Sequence, residues 1–336
     1  MLNILSARLI LTAIAAIFIS YLMFPRQSNS NNKHLIDTKS KLKTCPVGQF
    51  ILPSMSDCHN HLTCRDFDDI KISNQINEGG VKRIYQASWK SIHTVTISIL
   101  KSQEYHDDYS HGVNMLLAFQ QSDHVTKYVG RCKHMLISEY HPNGSMLNLS
   151  RVLENAKNFD RTPQNCLGLC VIYSQILHFL HASPAGVRVM CDSNDLDKLL
   201  SQFLITDDLK FIANDLDALP EVLQGSQGIT CGPREIVSDF VAPEQLWPYE
   251  NKEFDLSEQP QYSEKTDIYK AAAVCEFIMN QCCSQNHCQS DEVDYNKPLT
   301  TIYDNCRNRN SHLRPTAYEL MNAYLDLINT IDNNGN

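Results

Sequence analysis

The sequence lacks any long proline-rich or low-complexity tract, and it also lacks a basic run. Its 29 lysines and arginines are interspersed among 38 acidic residues, and the formal net charge is −9. The first absence indicates an ordinary globular protein, and the second argues against nucleic acid as a partner. A negative total does not exclude a nucleotide site, because that site needs only local lysines and backbone N–H groups. At 336 residues, we expect two lobes with a short N-terminal extension.

One apolar run is present at residues 9–24, and its 16 residues carry no charge. That length lies between the core of a signal peptide and the roughly 20 residues that span an average bilayer, so cleavage and anchoring are both open. The run ends in Leu22-Met23-Phe24 instead of a small-x-small cleavage site, which favours an uncleaved anchor. Its shortness suits the thinner membranes of the early secretory pathway. The polar residues 25–44 have no apolar periodicity and predict a flexible stem.

Thirteen cysteines are many for a cytosolic protein and reasonable for one folded in an oxidising lumen. Cys45, Cys58 and Cys64 lie in an extension, residues 45–69, that is too short for its own core, so we expect a disulfide staple there. The group around Cys282 and Cys283 lacks the paired spacing of a zinc site, which favours bridges or inert thiols.

Two triplets, at Asn143 and Asn148, have the N-x-Ser pattern of glycosylation acceptors and agree with a lumenal location. They are weak evidence alone, because such triplets are frequent by chance.

The order of patterns predicts a small β-rich lobe followed by a larger helical lobe. Residues 81–85 and 94–99 are rich in β-branched residues and follow a Gly79-Gly80 turn. A helical pattern covers residues 108–119, and further helical patterns follow at 167–181, 266–280 and 316–327. This α+β arrangement over residues 70–330 is the outline of a bilobal protein kinase, with a polar tail expected at 331–336.

Three landmarks of the second half resemble protein kinases in their order. Ala242-Pro243-Glu244 matches the A-P-E motif, Arg314 resembles the arginine that pairs with its glutamate, and Asp267 resembles the aspartate that begins the next helix. All three are structural, so they indicate the fold and not catalysis.

Met190-Cys191-Asp192 stands in the place of the H-R-D motif, which makes Asp192 the candidate base that orients a hydroxyl and accepts its proton. The alternative is a solvated loop residue. Because Cys191 replaces the arginine, gating by a phosphorylated activation segment is not expected. Gln202, which precedes a short apolar strand after about five extra loop residues, is the candidate amide ligand for Mg²⁺ or Mn²⁺.

Asn214-Asp215-Leu216-Asp217 stands where D-F-G is expected. Asp215 is the candidate metal carboxylate. Asp217 replaces the glycine, and three roles remain open for it: an additional metal ligand, a substrate contact or a solvated side chain.

The phosphate site is the most altered region. Of the glycine-rich loop only Gly79 keeps its position, with Gly80 next to it, and Lys82 stands where the third glycine belongs. Ser98 occupies the place of the usual strand lysine, so Lys82 is the candidate cation for ATP phosphates. Gly112 stands where the helix glutamate is expected, a loss that fits the relocation. Glu139 and His141 are the candidate hinge contacts to adenine.

These substitutions, together with the stretches at residues 188–196, 214–220, 239–249 and 138–142, resemble the protein O-mannose kinases. The resemblance implies a single-pass type II protein of the endoplasmic reticulum membrane, with residues 1–8 as a cytoplasmic tail and the kinase domain in the lumen. It also implies ATP-dependent phosphorylation of the 6-hydroxyl of mannose in the O-mannosyl trisaccharide of α-dystroglycan. Two alternatives remain: a lumenal pseudokinase that acts as a scaffold, and a secretory Ser/Thr protein kinase.

Overall fold

The computed structural model describes residues 45–225, 228–283, 288 and 295–334. The predicted anchor at residues 9–24, the tail before it and the stem after it lie outside these residues. Within the described ranges, no helix is both long enough and apolar enough to cross a membrane.

The first lobe is built on a five-stranded antiparallel sheet with the strand order β3-β4-β5-β7-β6. Its strands are β3 Ile70–Glu78, β4 Lys82–Trp89, β5 His93–Leu100, β6 Tyr128–Cys132 and β7 Met135–Glu139. The β-branched residues of β5 account for its pairing on both edges, and its alternate side chains Val95 and Ile97 are fully buried. Helix α1, His106–Ala118, follows β5 in this lobe.

The N-terminal extension packs on this sheet and shares its core. Its two short strands, β1 Gln49–Phe50 and β2 His59–Asn60, pair with each other, and Phe50 and Leu62 join the core cluster around Trp89. The predicted staple is confirmed, because Cys45 bonds to Cys58. Cys64 bonds instead to Cys132 on β6, which fixes the extension to the sheet.

The second lobe is mainly helical. Its helices are α2 Leu149–Asn155, α3 Pro163–His181, α4 Leu196–Ser201, α5 Lys265–Cys282, α6 Asn296–Cys306 and α7 Ala317–Asn334. Its short strands are β8 Val187–Arg188, β9 Phe203–Ile205, β10 Phe211–Ala213 and β11 Glu221–Val222. The residues predicted as a polar tail begin as the last turn of α7, because Ile331 is buried against the lobe.

Helix α3 is the central element of this lobe, and two disulfides join it to α5. They are Cys166–Cys282 and Cys170–Cys275, and a third bridge, Cys283–Cys288, follows directly after α5. Of the two alternatives favoured for Cys282 and Cys283, bridges or inert thiols, the structure shows bridges.

The predicted pairing of the A-P-E glutamate is also confirmed. Arg314 is buried, and its two terminal nitrogens lie 2.5 and 2.8 Å from the two carboxylate oxygens of Glu244. A two-point charge-assisted contact of this kind holds the end of the activation segment on the helical lobe.

Candidate active site

Lys82 reaches the inner face of the sheet from β4. Strand β4 pairs with β5 so that Ile84 lies opposite Ser98. Because side chains two residues apart on a strand share a face, Lys82 projects from the same face as Ser98. Lys82 on β4 can therefore place its ammonium group in the space that a lysine side chain at position 98 of β5 would reach.

The ammonium group of Lys82 lies between two carboxylates. Its Nζ is 3.0 Å from Asp215 Oδ1 and 2.9 Å from Asp217 Oδ2, and the Lys82 side chain is only 12% exposed. Burial alone would lower the pKa of Lys82, but Asp215 and Asp217 outweigh it and raise that pKa. The lysine is a permanent cation at the junction of the two lobes.

The two carboxylates differ in their protonation. Burial opposes ionisation of both, but the Lys82 charge and hydrogen bond outweigh it at Asp215, whose pKa is lowered. At Asp217, burial and the neighbouring Asp215 prevail over Lys82 and raise the pKa to about 6. Asp215 is thus the firmly ionised member of the pair.

Helix α1 approaches Asp217 at Gly112. A Cβ atom at Gly112 would lie 1.9 Å from Asp217 Oδ1, so a side chain at this position of α1 cannot coexist with the observed position of Asp217. Of the three roles left open for Asp217, a solvated position does not fit, since its side chain is 12% exposed and paired with Lys82. Asp217 occupies the place beside the lysine that a helix glutamate would take.

Gln202 and Asp215 are adjacent because β9 pairs with β10. The Gln202 carbonyl accepts hydrogen bonds from the amides of Asn214 and Asp215, at 2.9 and 3.4 Å. The Gln202 side chain is buried, and its Nε2 has no hydrogen-bond partner within the described ranges. An amide nitrogen does not ligate a hard cation, so the fit to a divalent site rests on the ligand types: the Asp215 carboxylate and the Gln202 amide oxygen are those that Mg²⁺ and Mn²⁺ prefer.

Asp192 lies in the loop after β8 and is more open than the Lys82 cluster. Its side chain is 45% exposed, and its Oδ2 lies 2.7 Å from Lys198 Nζ. The exposure is what a base that meets a substrate from solvent requires.

Lys198 is a site residue that the sequence analysis missed. The extra residues between Asp192 and Gln202 form α4, whose N-terminus is capped by Asp195 through a hydrogen bond from the Lys198 amide at 2.8 Å. Burial alone would lower the pKa of Lys198, but the Asp192 contact raises it. The capping aspartate in the inserted stretch was a signal that could have indicated this helix.

The glycine turn and the hinge flank the cluster. The Gly79 amide donates to the Lys82 carbonyl at 2.9 Å, which closes the turn, while Gly80 is exposed. At the end of β7, Glu139 and His141 are largely buried, with Glu139 Oε2 3.7 Å from His141 Nε2. The glycine turn and the hinge residues therefore both border the space between the lobes.

Both glycosylation candidates are half-buried with their amide nitrogens engaged. Asn143 Nδ2 donates to the Thr206 carbonyl at 3.0 Å, and Asn148 Nδ2 donates to the Asn143 carbonyl at 3.2 Å. Attachment of a glycan to either nitrogen would require that hydrogen bond to be released, and glycosylation stays a prediction.

A β-rich lobe, a helical lobe and a buried cation with two carboxylates between them define a protein of the protein-kinase fold class. A comparison with models of known protein families finds no match. Curated relatives are clear, however. The chain is 38% identical to human "Protein O-mannose kinase" over 317 residues, which cover 93% of this chain and 85% of the relative. It is 40% identical to the Xenopus laevis protein of the same name over 293 residues, covering 85% of this chain and 80% of the relative.

The chain therefore belongs to the protein O-mannose kinase family and is a phosphotransferase of the kinase type, as its motifs predicted. A shorter stretch of 89 residues, 25% of the chain, is 33% identical to a "Probable serine/threonine-protein kinase" of Dictyostelium discoideum, of which it covers 7%. The pseudokinase alternative is not supported, since the long alignments described above are with proteins named as kinases.

Proposed function

We propose that this chain transfers the terminal phosphoryl group of ATP to the 6-hydroxyl of an O-linked mannose. The observation that carries the proposal is the position of Lys82, whose buried ammonium group contacts both Asp215 and Asp217. Phosphoryl transfer depends mainly on positioning and charge stabilisation, so a cation and a metal-binding carboxylate in one cleft are its main requirements. The names of the relatives support mannose as the acceptor.

The finer proposal is that the acceptor mannose lies in the O-mannosyl trisaccharide of α-dystroglycan. It rests on the motif resemblance of the catalytic loop and activation segment. In the same way, we place the protein in the endoplasmic reticulum membrane as a single-pass type II protein, with residues 1–8 cytoplasmic and the kinase domain lumenal. The apolar run at residues 9–24 and the many disulfides support this placement.

Each of the candidate site residues has its own role in the proposed reaction. Asp215 and Gln202 would hold Mg²⁺ or Mn²⁺, which when bound neutralises phosphate charge and orients the nucleotide. Lys82 supplies a fixed positive charge for the phosphates. Asp192 orients the sugar hydroxyl and accepts its proton, while Lys198, whose Nζ lies 2.7 Å from Asp192 Oδ2, holds the Asp192 carboxylate in position.

The test of this function uses the purified full-length chain in detergent with labelled ATP, Mg²⁺ or Mn²⁺, and parallel acceptors. One acceptor is the O-mannosyl trisaccharide on a peptide, the second is the trisaccharide with its mannose 6-hydroxyl removed, and the third is an unglycosylated Ser/Thr peptide. We expect phosphate only on the first. Transfer to the bare peptide would establish a Ser/Thr protein kinase instead, and an absence of both transfer and nucleotide binding would remove the enzyme assignment.

The Lys82 assignment is tested with a neighbour on the same strand. We expect Lys82→Ala to lower kcat/KM for ATP by at least about 100-fold, because the phosphates lose their only cation from β4 on the inner face. Arg83→Ala is the matched control, since Arg83 points away, is 48% exposed and pairs with Glu78. Both are assayed below the melting temperature of the less stable variant, because Lys82→Ala also leaves two buried carboxylates without a cation. An active Lys82→Ala protein would contradict the relocated-lysine proposal.

A further inference from the structure

The loop that carries Asp192 is held by a covalent bond next to the candidate base. Cys191, which replaces the arginine of the usual kinase loop, forms a disulfide with Cys231 of the activation segment. The Cys191 amide also donates to the Ala218 carbonyl at 3.0 Å. In other kinases, an arginine at this position receives a phosphorylated residue of the activation segment; here a disulfide joins the same two segments.

The far end of this bond is itself fixed to the helical lobe. The Cys231 amide donates to the Tyr262 hydroxyl at 2.7 Å, and Ile229 forms a β-bridge with Tyr262. Gly228, with φ of +140°, lets the segment approach so closely that a Cβ there would lie 2.3 Å from the Tyr262 carbonyl oxygen. Cys231 is buried. The disulfide therefore joins the catalytic loop to a stretch of chain that has little freedom.

The other side of Asp192 is held by a buried polar network. The Ser193 hydroxyl donates to the Met190 carbonyl at 2.6 Å and accepts from Lys270 Nζ at 2.5 Å. Lys270 pairs with Asp267 at 3.3 Å, and Asp267 accepts the Met190 amide at 3.1 Å. Since Ser193, Lys270 and Asp267 are all buried, the loop is anchored on this side without the disulfide. Asp192 therefore lies between Cys191, which is held by the disulfide, and Ser193, which is held by the buried hydrogen bonds.

We propose that the Cys191–Cys231 disulfide is a positioning element for Asp192, which fixes the catalytic loop to the activation segment in place of an arginine–phosphate contact. The proposal rests on the proposed function, in which Asp192 is the base. It implies that the loop holds its working geometry as soon as the bond has formed, without phosphorylation of the activation segment. Among the described residues, no hydrogen bond or ion pair joins Lys82 or Asp215 to either cysteine, so we expect the bond to affect the reaction more than ATP binding.

The experiment compares two disulfide removals in the full-length chain. Cys191→Ser/Cys231→Ser removes the proposed positioning bond, and Cys45→Ser/Cys58→Ser removes a bridge in the N-terminal extension as the matched control. We expect the first pair to lower kcat about 10- to 100-fold with KM for ATP changed less than about twofold, because small displacements of a reacting group cost rates of this size. We expect the control to keep the kcat of the parent protein.

A rescue variant separates positioning from simple cross-linking. Cys191→Arg/Cys231→Asp replaces the covalent link with a charge pair between the same two segments, and we expect it to recover part of the lost kcat. The neutral pair Cys191→Gln/Cys231→Asn, of similar size, should recover less. Equal kcat in the parent and Cys191→Ser/Cys231→Ser proteins overturns the proposal, and so does a loss that matches the control when both are normalised to folded protein.

Two further measurements cover the remaining outcomes. If the serine pair does not fold, the parent protein is partly reduced, mass spectrometry quantifies each bond, and kcat is compared with the fraction of intact Cys191–Cys231; full activity with that bond broken overturns the proposal. Amide hydrogen exchange over residues 189–196 needs no acceptor. Faster exchange there in the serine pair than in the control supports the positioning role even if the glycan proves to be the wrong substrate, and unchanged exchange argues against it.

Discussion

Glu139 and His141 face each other across 3.7 Å at the end of β7, yet neither compensates for the burial of the other. Burial raises the pKa of Glu139 to about 7 and lowers the pKa of His141 to about 4. At neutral pH the histidine is therefore uncharged, and the contact is not an ion pair although its distance would allow one. His141 Nε2 also has no hydrogen-bond partner in the described part of the chain. Lys127 lowers the pKa of Glu139 but does not offset its burial, and a buried carboxylate that is incompletely compensated destabilises the nucleotide-free protein.

The destabilising burial of Glu139 predicts that Glu139→Gln increases the free energy of unfolding by an amount that depends on pH. Because the folded-state pKa of Glu139 lies above its ordinary value of 4.5, the folded state binds the extra proton more tightly, and stability falls as pH rises from about 4.5 to about 7. The glutamine variant lacks this loss, so we expect it to be more stable than the parent by about 1–3 kcal/mol at pH 8 and nearly equal to it at pH 4.5.

Chemical denaturation at both pH values measures the difference, with the exposed Glu154→Gln as control. A gain of the same size at both pH values would show that the glutamine acts through packing and not through charge.

At the scale of elements, the carboxylate that pairs with Lys82 comes from the segment after β10 instead of from helix α1. Where α1 would present a glutamate to the lysine it has Gly112, and the missing group comes from Asp217 instead. The lysine has moved in the same way, from β5 to β4, to the same face of the sheet. Each change alone would leave a buried charge without its partner, which explains why they occur together.

The exchange can be tested by reversing it. Gly112→Glu alone should lose about 100-fold in kcat/KM, because its Cβ meets Asp217, and Asp217→Gly alone should lose activity because Lys82 loses a partner. In Gly112→Glu/Asp217→Gly the side-chain clash is removed, a tight contact of 3.2 Å with the Cα atom of residue 217 remains, and the carboxylate comes from the helix. We expect the loss of kcat/KM in this double variant to be smaller than the sum of the two single losses by about 1–3 kcal/mol of coupling free energy in a double-mutant cycle.

The control for the cycle is Gly112→Ala/Asp217→Gly, which relieves the same clash without restoring a carboxylate. Its kcat/KM should stay at the level of Asp217→Gly. If the control recovers as much as the glutamate variant, space and not charge governs this contact.

The sequence could predict contacts that a local pattern or one strand register decides. Ser98 in the place of the usual strand lysine indicated that Lys82 supplies the cation, and the A-P-E motif indicated the partner of Arg314. The role of Asp217 stayed open because it depends on the close approach of α1 at Gly112. Gly112 precedes Asp217 by 105 residues, so no local pattern connects the two. Lys198 was missed because the inserted loop residues form a helix that has no counterpart in the motif.

At the scale of the whole molecule, disulfides join segments far apart in sequence in both lobes. Among the described residues, Cys306 is the one free cysteine, and it is buried. The cysteine content predicted an oxidising compartment and bridges in the extension. It could not predict partners such as Cys166 and Cys282, because their sequence separation of 116 residues is closed by helix packing and not by any local spacing.

The two bridges between α3 and α5 predict a strongly non-additive effect on stability. Cys166–Cys282 and Cys170–Cys275 span 116 and 105 residues, and a loop of about 100 residues corresponds to about 4.7 kcal/mol of loop-closure entropy. While one bridge is intact, the other closes a ring of only about a dozen residues, which corresponds to about 3 kcal/mol. The first bridge removed thus costs less than the second.

We therefore expect the serine pairs Cys166→Ser/Cys282→Ser and Cys170→Ser/Cys275→Ser to lose about 3 kcal/mol each, and the combined variant to lose about 8 kcal/mol instead of 6. Denaturant unfolding of the three variants measures this, provided the transition of each has the same slope. The combined loss can exceed the stability of an average domain, so the quadruple variant is measured with a stabilising osmolyte present throughout. A strictly additive result would mean that packing of α3 on α5, and not the closure of the chain, determines what each bridge contributes.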